Sequence, residues 1–202
     1  MDVLVIEKEW AEKIKHFHLR TARHNQLVRN NMLDLFTLGL VDKYALDQEV
    51  LFLELREHDA TKFKDPQYKA YIEISWSYYQ QLDLGKAYPL DQVFQSNATI
   101  HHIISEKHHP EYWDPLFLKH GNKFNTTNRD GLPDTPTDAS LMPLTWVAVM
   151  VCDWMAISQE RNTSIYAWAD KTVDKRWLFT PEQKEVLFAT IDHLVLKEKM
   201  YG

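Results

Sequence analysis

Residues from about Glu9 to Leu38 constrain the fold most. Ile14, Phe17, Thr21, His24, Leu27, Val28, Asn31 and Leu35 recur there at three- and four-residue steps, the pattern of one long helix with a buried stripe. Helical spacing returns along most of the chain, with only five glycines and eight prolines to interrupt it. A chain of 202 residues with 45% hydrophobic content therefore reads as one all-α domain, residues 1–202, large enough to bury a core. His24 falls within the stripe, either as a core histidine bonded to a carbonyl or as a ligand turned inward. His16 and His18 lie off its centre. Arg20 and Arg23, within a turn of His24, either face an anion at the same opening or are solvated charges.

Gly39 and Asp42-Lys43 end that helix, and a second runs from about Asp47 to Asp59. Its apolar stretch Val50-Leu51-Phe52-Leu53-Glu54-Leu55 closes on His58-Asp59, which can offer one imidazole nitrogen and one carboxylate oxygen to the same cation; the alternative is a surface pair at a helix end. Asp65-Pro66 restarts a helix, with aspartate as cap and proline in the first turn. Tyr68, Tyr71, Ile72, Ser75, Trp76 and Tyr79 give it an aromatic face of the kind that usually packs in a core. A helix from about Asp91 to Lys107 then delivers His101-His102, and His108-His109 follow. Pro110 disfavours a helical His109, so the second pair belongs on the exit turn. Ten histidines is a high count, and two adjacent pairs this close are hard to explain as packing.

Residues Lys119 to Ser140 are the least regular, and a loop of that length reads as a partly ordered lid near the site. It holds no glycine-rich phosphate cradle. Leu141 to Ile157 is the most apolar helix, and Asp153 is its only charge. A carboxylate so placed needs a salt bridge, a capping role or a bound cation. Asp170, Lys171, Asp174 and Lys175 mark a polar connection, and Thr180-Pro181-Glu182-Gln183 opens a last helix over about 181–199. The net charge of −6 offers no basic field to a phosphate backbone, so nucleic acid is not an expected partner. The lone Cys152 forms no internal disulfide, the amino terminus is too short and acidic for a signal peptide, and no apolar run spans a bilayer. The expectation is a soluble cytoplasmic protein. Its seven tryptophans and nine tyrosines could build a homodimer face as easily as a core.

In order, His24, His58-Asp59, the histidines of 101–109 and Asp153 fall on different expected helices. This order resembles the HD-domain superfamily, in which a histidine, a His-Asp doublet and a later aspartate converge on a divalent metal inside a helical bundle. His58-Asp59-Ala60-Thr61-Lys62 looks like the lysine-containing doublet. His101-His102 … His108-His109-Pro110-Glu111-Tyr112-Trp113 with Cys152-Asp153-Trp154 is similar to a small HD-like family of bacterial and phage proteins. The resemblance covers about residues 14–160.

It implies His24, His58, Asp59 and Asp153 as metal ligands, with His102 and His108 or His109 as the extra histidines of two-metal branches. Lys62 matches a lysine that faces substrate; some mononucleotide-cleaving branches carry glutamate there, and this chain departs from them. Imidazole and carboxylate without thiolate suit one or two ions of manganese, iron, cobalt, nickel or zinc. The expected activity is metal-dependent hydrolysis of a small phosphorylated molecule such as a nucleotide. Asp59 and Lys62 would be the catalytic pair, and Lys62, Arg20 and Arg23 the substrate-binding cations. The alternatives are an HD-type di-iron oxygenase on the same ligands and a non-catalytic metal-containing binding or regulatory protein.

Overall fold

A computed structural model describes residues 3–117 and 131–201. Eight α-helices account for nearly all regular structure among them: α1 Val3–Thr37, α2 Leu40–Lys43, α3 Gln48–Glu57, α4 Gln67–Tyr78, α5 Gln92–Ser105, α6 Leu144–Arg161, α7 Ile165–Thr172 and α8 Pro181–Tyr201. The all-α class expected from the spacing is the class observed. None of these helices is long and apolar enough to cross a membrane.

α6 is the central strut. Val147, Ala148, Val149, Val151, Cys152 and Ala156 have no exposed surface, so the helix is apolar on all sides and is packed by α1, α3 and α8. It starts at Leu144, after Pro143, rather than at Leu141, which is exposed. The 35 residues of α1 make a rod of about 52 Å at the usual rise per residue. Val28, Met32 and Leu35 of α1 join α6 in the main core, and Phe17 joins Ala70, Tyr71, Ile72, Ile74 and Ala98 of α4 and α5 in a second, smaller one. His24 lies on α1 between these two apolar clusters.

Three expected elements differ. Asp65 does not cap α4: the N-cap position is Pro66, which makes no side-chain bond, and the amides of Gln67 and Tyr68 are met by the carbonyl of Lys64. The connection expected around Asp170 and Lys171 is largely the helix α7, held by Ser164 as cap and by buried Ile165, Ala169 and Thr172. Of the expected 119–140 lid, residues 119–130 lie outside the described residues. Its remainder is tied down, because β1, Thr137–Asp138, pairs in parallel with β2, Trp177–Leu178, and Gln183 donates to the carbonyls of Ala139 and Met142. The cap of α8 forms as the sequence suggests: Gln183 N donates to Thr180 Oγ1 and Thr180 N to Gln183 Oε1.

Candidate metal centre

The chain turn that ends α3 sets the geometry of the site. His58 leaves the helix with φ −50° and ψ 128°, and Asp59 adopts φ 61° and ψ 16°, a left-handed conformation that costs a non-glycine residue about 1 kcal/mol. Two side chains of α1 hold this turn from outside: Asn25 donates to the carbonyl of His58 at 2.9 Å and Arg29 to that of Leu55 at 2.6 Å. They satisfy carbonyls that the helix end leaves without an amide. Thr61, in the 3₁₀ turn Ala60–Phe63, bonds to Glu106 at the end of α5. The doublet is thus clamped between α1 and α5.

The side chains converge on the two oxygens of Asp59, which is 1% exposed. On one side, Asp59 Oδ2 lies 3.9 Å from His24 Nε2 and 4.0 Å from His58 Nε2, while Asp153 Oδ1 lies 2.9 Å and 3.8 Å from the same two nitrogens. On the other side, Asp59 Oδ1 lies 3.3 Å from His102 Nε2 and 3.9 Å from His108 Nε2. His109 joins His102 and His108 in a second cluster whose nitrogens lie within 4.8 Å of one another. Ligands bound about 2.1 Å from one ion stand about 3 to 4 Å apart, so both groups have the spacing of a coordination shell.

Polar side chains also stand behind four of the imidazoles. His24 Nδ1 donates to Glu160 Oε2 at 3.3 Å, and His102 Nδ1 to Gln67 Oε1 at 3.1 Å. Glu54 Oε2 stands 3.4 Å from His58 Nδ1 and 3.9 Å from His108 Nδ1, within ion-pair range of both and aligned as a hydrogen bond to neither. A carboxylate or amide thus stands behind the imidazoles of His24, His58, His102 and His108, as behind metal-ligating histidines. His58 Nε2, Asp59 Oδ1 and His109 Nε2 are buried without a hydrogen-bond partner. Each such atom costs about 1 to 3 kcal/mol unless something else engages it. A cation on either side of Asp59 would engage one of the first two, and the donor set of imidazole and carboxylate suits a divalent transition metal.

Without a metal, protons distribute unevenly here. Burial opposes charge on His58, but Asp59, Asp153 and Glu54 together outweigh it and lift the imidazole to about 10; His24 rises likewise, because Asp153, Glu160 and Asp59 together outweigh burial. Asp59 and Asp153 are held well below the carboxylate range in spite of burial, the first chiefly by Lys62 and the second by His24. His102 is pushed down to about 4 by burial and Lys62. His108 and His109 are depressed by burial, with added repulsion from His58 and His108 respectively. The second cluster is therefore neutral imidazole, the form that binds metal.

The structure brings His24, His58, Asp59, His102, His108, His109 and Asp153 together and leaves His101 out. His101 is exposed and accepts from Gln67 Nε2. His16 packs instead on Trp76 and Tyr79, and His18 bonds to Tyr68. Lys62 pairs with Asp59 and reaches over the Tyr71 ring. The cluster forms the floor of a cavity of about 240 Å³ whose walls include Lys62 and Arg20 but not Arg23, which lines an adjoining cleft. Sequence reasoning missed Glu54, Gln67 and Glu160 behind the histidines, and Arg161 and Arg176 in the cavity wall. Only Glu54 carried a signal, as a buried carboxylate one helical turn before His58.

Fold and site together define an α-helical protein with a buried histidine–carboxylate centre able to hold a metal ion. The chain belongs to the family of unknown function DUF5662, which matches residues 13–193. No curated protein and no solved structure matches it.

Proposed function

We propose that this protein is an HD-type metal-dependent phosphohydrolase that cleaves a small phosphorylated molecule, a nucleotide being the leading candidate. The observation that carries the reading is the division of Asp59: one oxygen faces His24 and His58, the other His102 and His108. A carboxylate so shared suits two ions, with His24, His58, Asp59 and Asp153 for the first and Asp59, His102, His108 and His109 for the second. The order of these residues along the chain, like that of the HD superfamily, supports the same reading.

A divalent ion held there would supply Lewis acidity to a phosphoryl oxygen and to water. The protein's own residues do the rest. Glu160, Glu54 and Gln67 keep the imidazole Nε2 atoms aimed at the centre. Lys62 stands at the cavity wall with its ammonium beside Asp59, where it neutralises charge on a bound phosphate, and Arg20 adds a second cation one helical turn from His24. Buried Trp154 and Trp177 and the half-buried Trp168 also line the cavity and limit water there. The deciding experiment is elemental analysis followed by a screen of phosphorylated compounds on wild type and Asp153→Asn. Bound metal and phosphate release, both lost in the variant, are expected; full activity of a metal-free variant would sink the reading.

The six-ligand set of His24, His58, Asp59, His102, His108 and Asp153 also favours a second reading, an oxygenase with two irons. Oxygen uptake by the ferrous protein in the presence of a candidate substrate, without phosphate release, would select it.

A further inference from the structure

The cavity over the metal centre does not end at its own walls. Arg20, Ser75, Tyr78 and Arg161 line it and also line a second cleft, of about 410 Å³, so the two adjoin across these four side chains. The register of α1 and α6 gives the direction. His24 meets Asp153 at the floor, while Arg20, earlier on α1, meets Glu160, later on α6, at 3.7 Å; the helices are antiparallel and both lead outward from the floor. Arg20 lies about 6 Å outward from His24 and Arg161 about 12 Å outward from Asp153, from four and eight residues of helical rise. The cleft also holds Arg23 and His16, with Glu160 and Asp83. Of the two acids, Glu160 is already engaged by His24 and Arg20.

We propose that this outer cleft is a second anion subsite and that the site takes a molecule with two anionic groups. One group sits at the metal floor beside Lys62. The other lies in the outer cleft at Arg161 and Arg23, about 6 to 12 Å outward by the register of Arg20 and Arg161. This deepens the phosphohydrolase reading and rests on it: the reacting phosphoryl group occupies the floor, and the second phosphate or carboxylate selects the substrate. Arginine suits that task because its planar fork engages an oxyanion through two N–H groups. Binding both ends makes the second contact intramolecular, so affinity rises only when the spacing between the anions matches the distance between subsites.

The test is calorimetric titration of the manganese-loaded protein with methyl phosphate, with α,ω-alkanediol bisphosphates of increasing length, and with alkyl monophosphates of the same lengths. A bisphosphate of matching span should bind about tenfold or more tighter than methyl phosphate, with an optimum in chain length. Arg161→Gln and Arg23→Gln should each bring the ratio of the two affinities toward one. Arg23 is exposed, so its variant serves even if Arg161→Gln fails to fold. Equal affinity for mono- and bisphosphates at every length overturns the inference alone. So does a gain matched by the alkyl monophosphates, which would assign the cleft to the apolar rim of Leu19 and Leu82. Failure of every probe to bind overturns both the inference and the phosphohydrolase reading beneath it.

Discussion

Asp59 is the residue on which both halves of the centre depend, and its backbone shapes the choice of mutant. Asparagine tolerates the left-handed conformation as readily as aspartate, so Asp59→Asn keeps the turn at φ 61° while removing the charge. The expected outcome is loss of all bound metal by elemental analysis with an unchanged far-ultraviolet circular dichroism spectrum; metal retained at wild-type stoichiometry would remove Asp59 from the ligand set. Glu54 does not line the cavity and stands behind His58 and His108. Glu54→Gln should weaken metal affinity by about 10- to 100-fold, the usual cost of losing a partner behind a ligand histidine. Glu54→Asp should recover part of that loss in the same competition assay with a metal indicator. Protons compete for the site with a definite sign. His24 and His58 are both raised, His58 to about 10, so in the metal-free protein they hold protons at neutral pH that a metal must displace. Metal affinity should therefore climb as pH rises toward that value, and adding manganese to weakly buffered protein at pH 7 should release protons detectable by indicator dye. Uptake without release would contradict the assignment of these two imidazoles as ligands.

Helix ends, more than helix faces, position the site. The ends of α3 and α5 deliver five of the candidate ligands, and Asn25 and Arg29 of α1 hold the first of these ends by its carbonyls. Asn25→Ala should destabilise the fold by about 1 to 3 kcal/mol, the cost of leaving a buried carbonyl without a donor. It should also lower metal affinity, because the doublet loses its clamp; a denaturation midpoint and metal titration like wild type would show that the turn holds itself. Much at this scale was legible beforehand. The stripe on α1 picked out His24 by spacing alone, and Asp153 stood out as the one charge in an apolar helix, since burial is hard to reconcile with an unpaired carboxylate. Pro110 likewise located His109 on a turn. What stayed hidden arises only from tertiary packing. α7 buries just Ile165, Ala169 and Thr172, so its charged residues masked it, and the pairing of β1 with β2 joins segments about forty residues apart. Gln67 and Glu160 look like ordinary polar helix positions until His102 and His24 are placed against them.

At the scale of the molecule, the metal centre lies between two apolar clusters rather than at the heart of either, and this governs how stability should respond to chelation. The larger cluster joins α1, α3, α6, α7 and α8 without any candidate ligand, and Val147 to Cys152 of α6 are almost wholly buried within it. That core needs no metal to form. In the metal-free state the centre is also partly self-neutralising, because His24 pairs with Asp153, and Asp59 with Lys62. The chelated protein should therefore remain folded, unlike small domains that fold only around their zinc. A metal that binds the native state alone would, at a free concentration a thousand times its Kd, add about 4 kcal/mol. For a chain of this length that corresponds to a rise in Tm of about 8 to 16 °C. Thermal melts of metal-free protein titrated with manganese should show a full helical signal before the transition and a Tm that climbs with metal concentration. Asp59→Asn and Asp153→Asn should hold the Tm flat across the same titration, which ties the shift to this centre rather than to surface carboxylates. A metal-free protein with no cooperative transition would mean that the cluster organises the fold itself, and that the two cores are not independent of it.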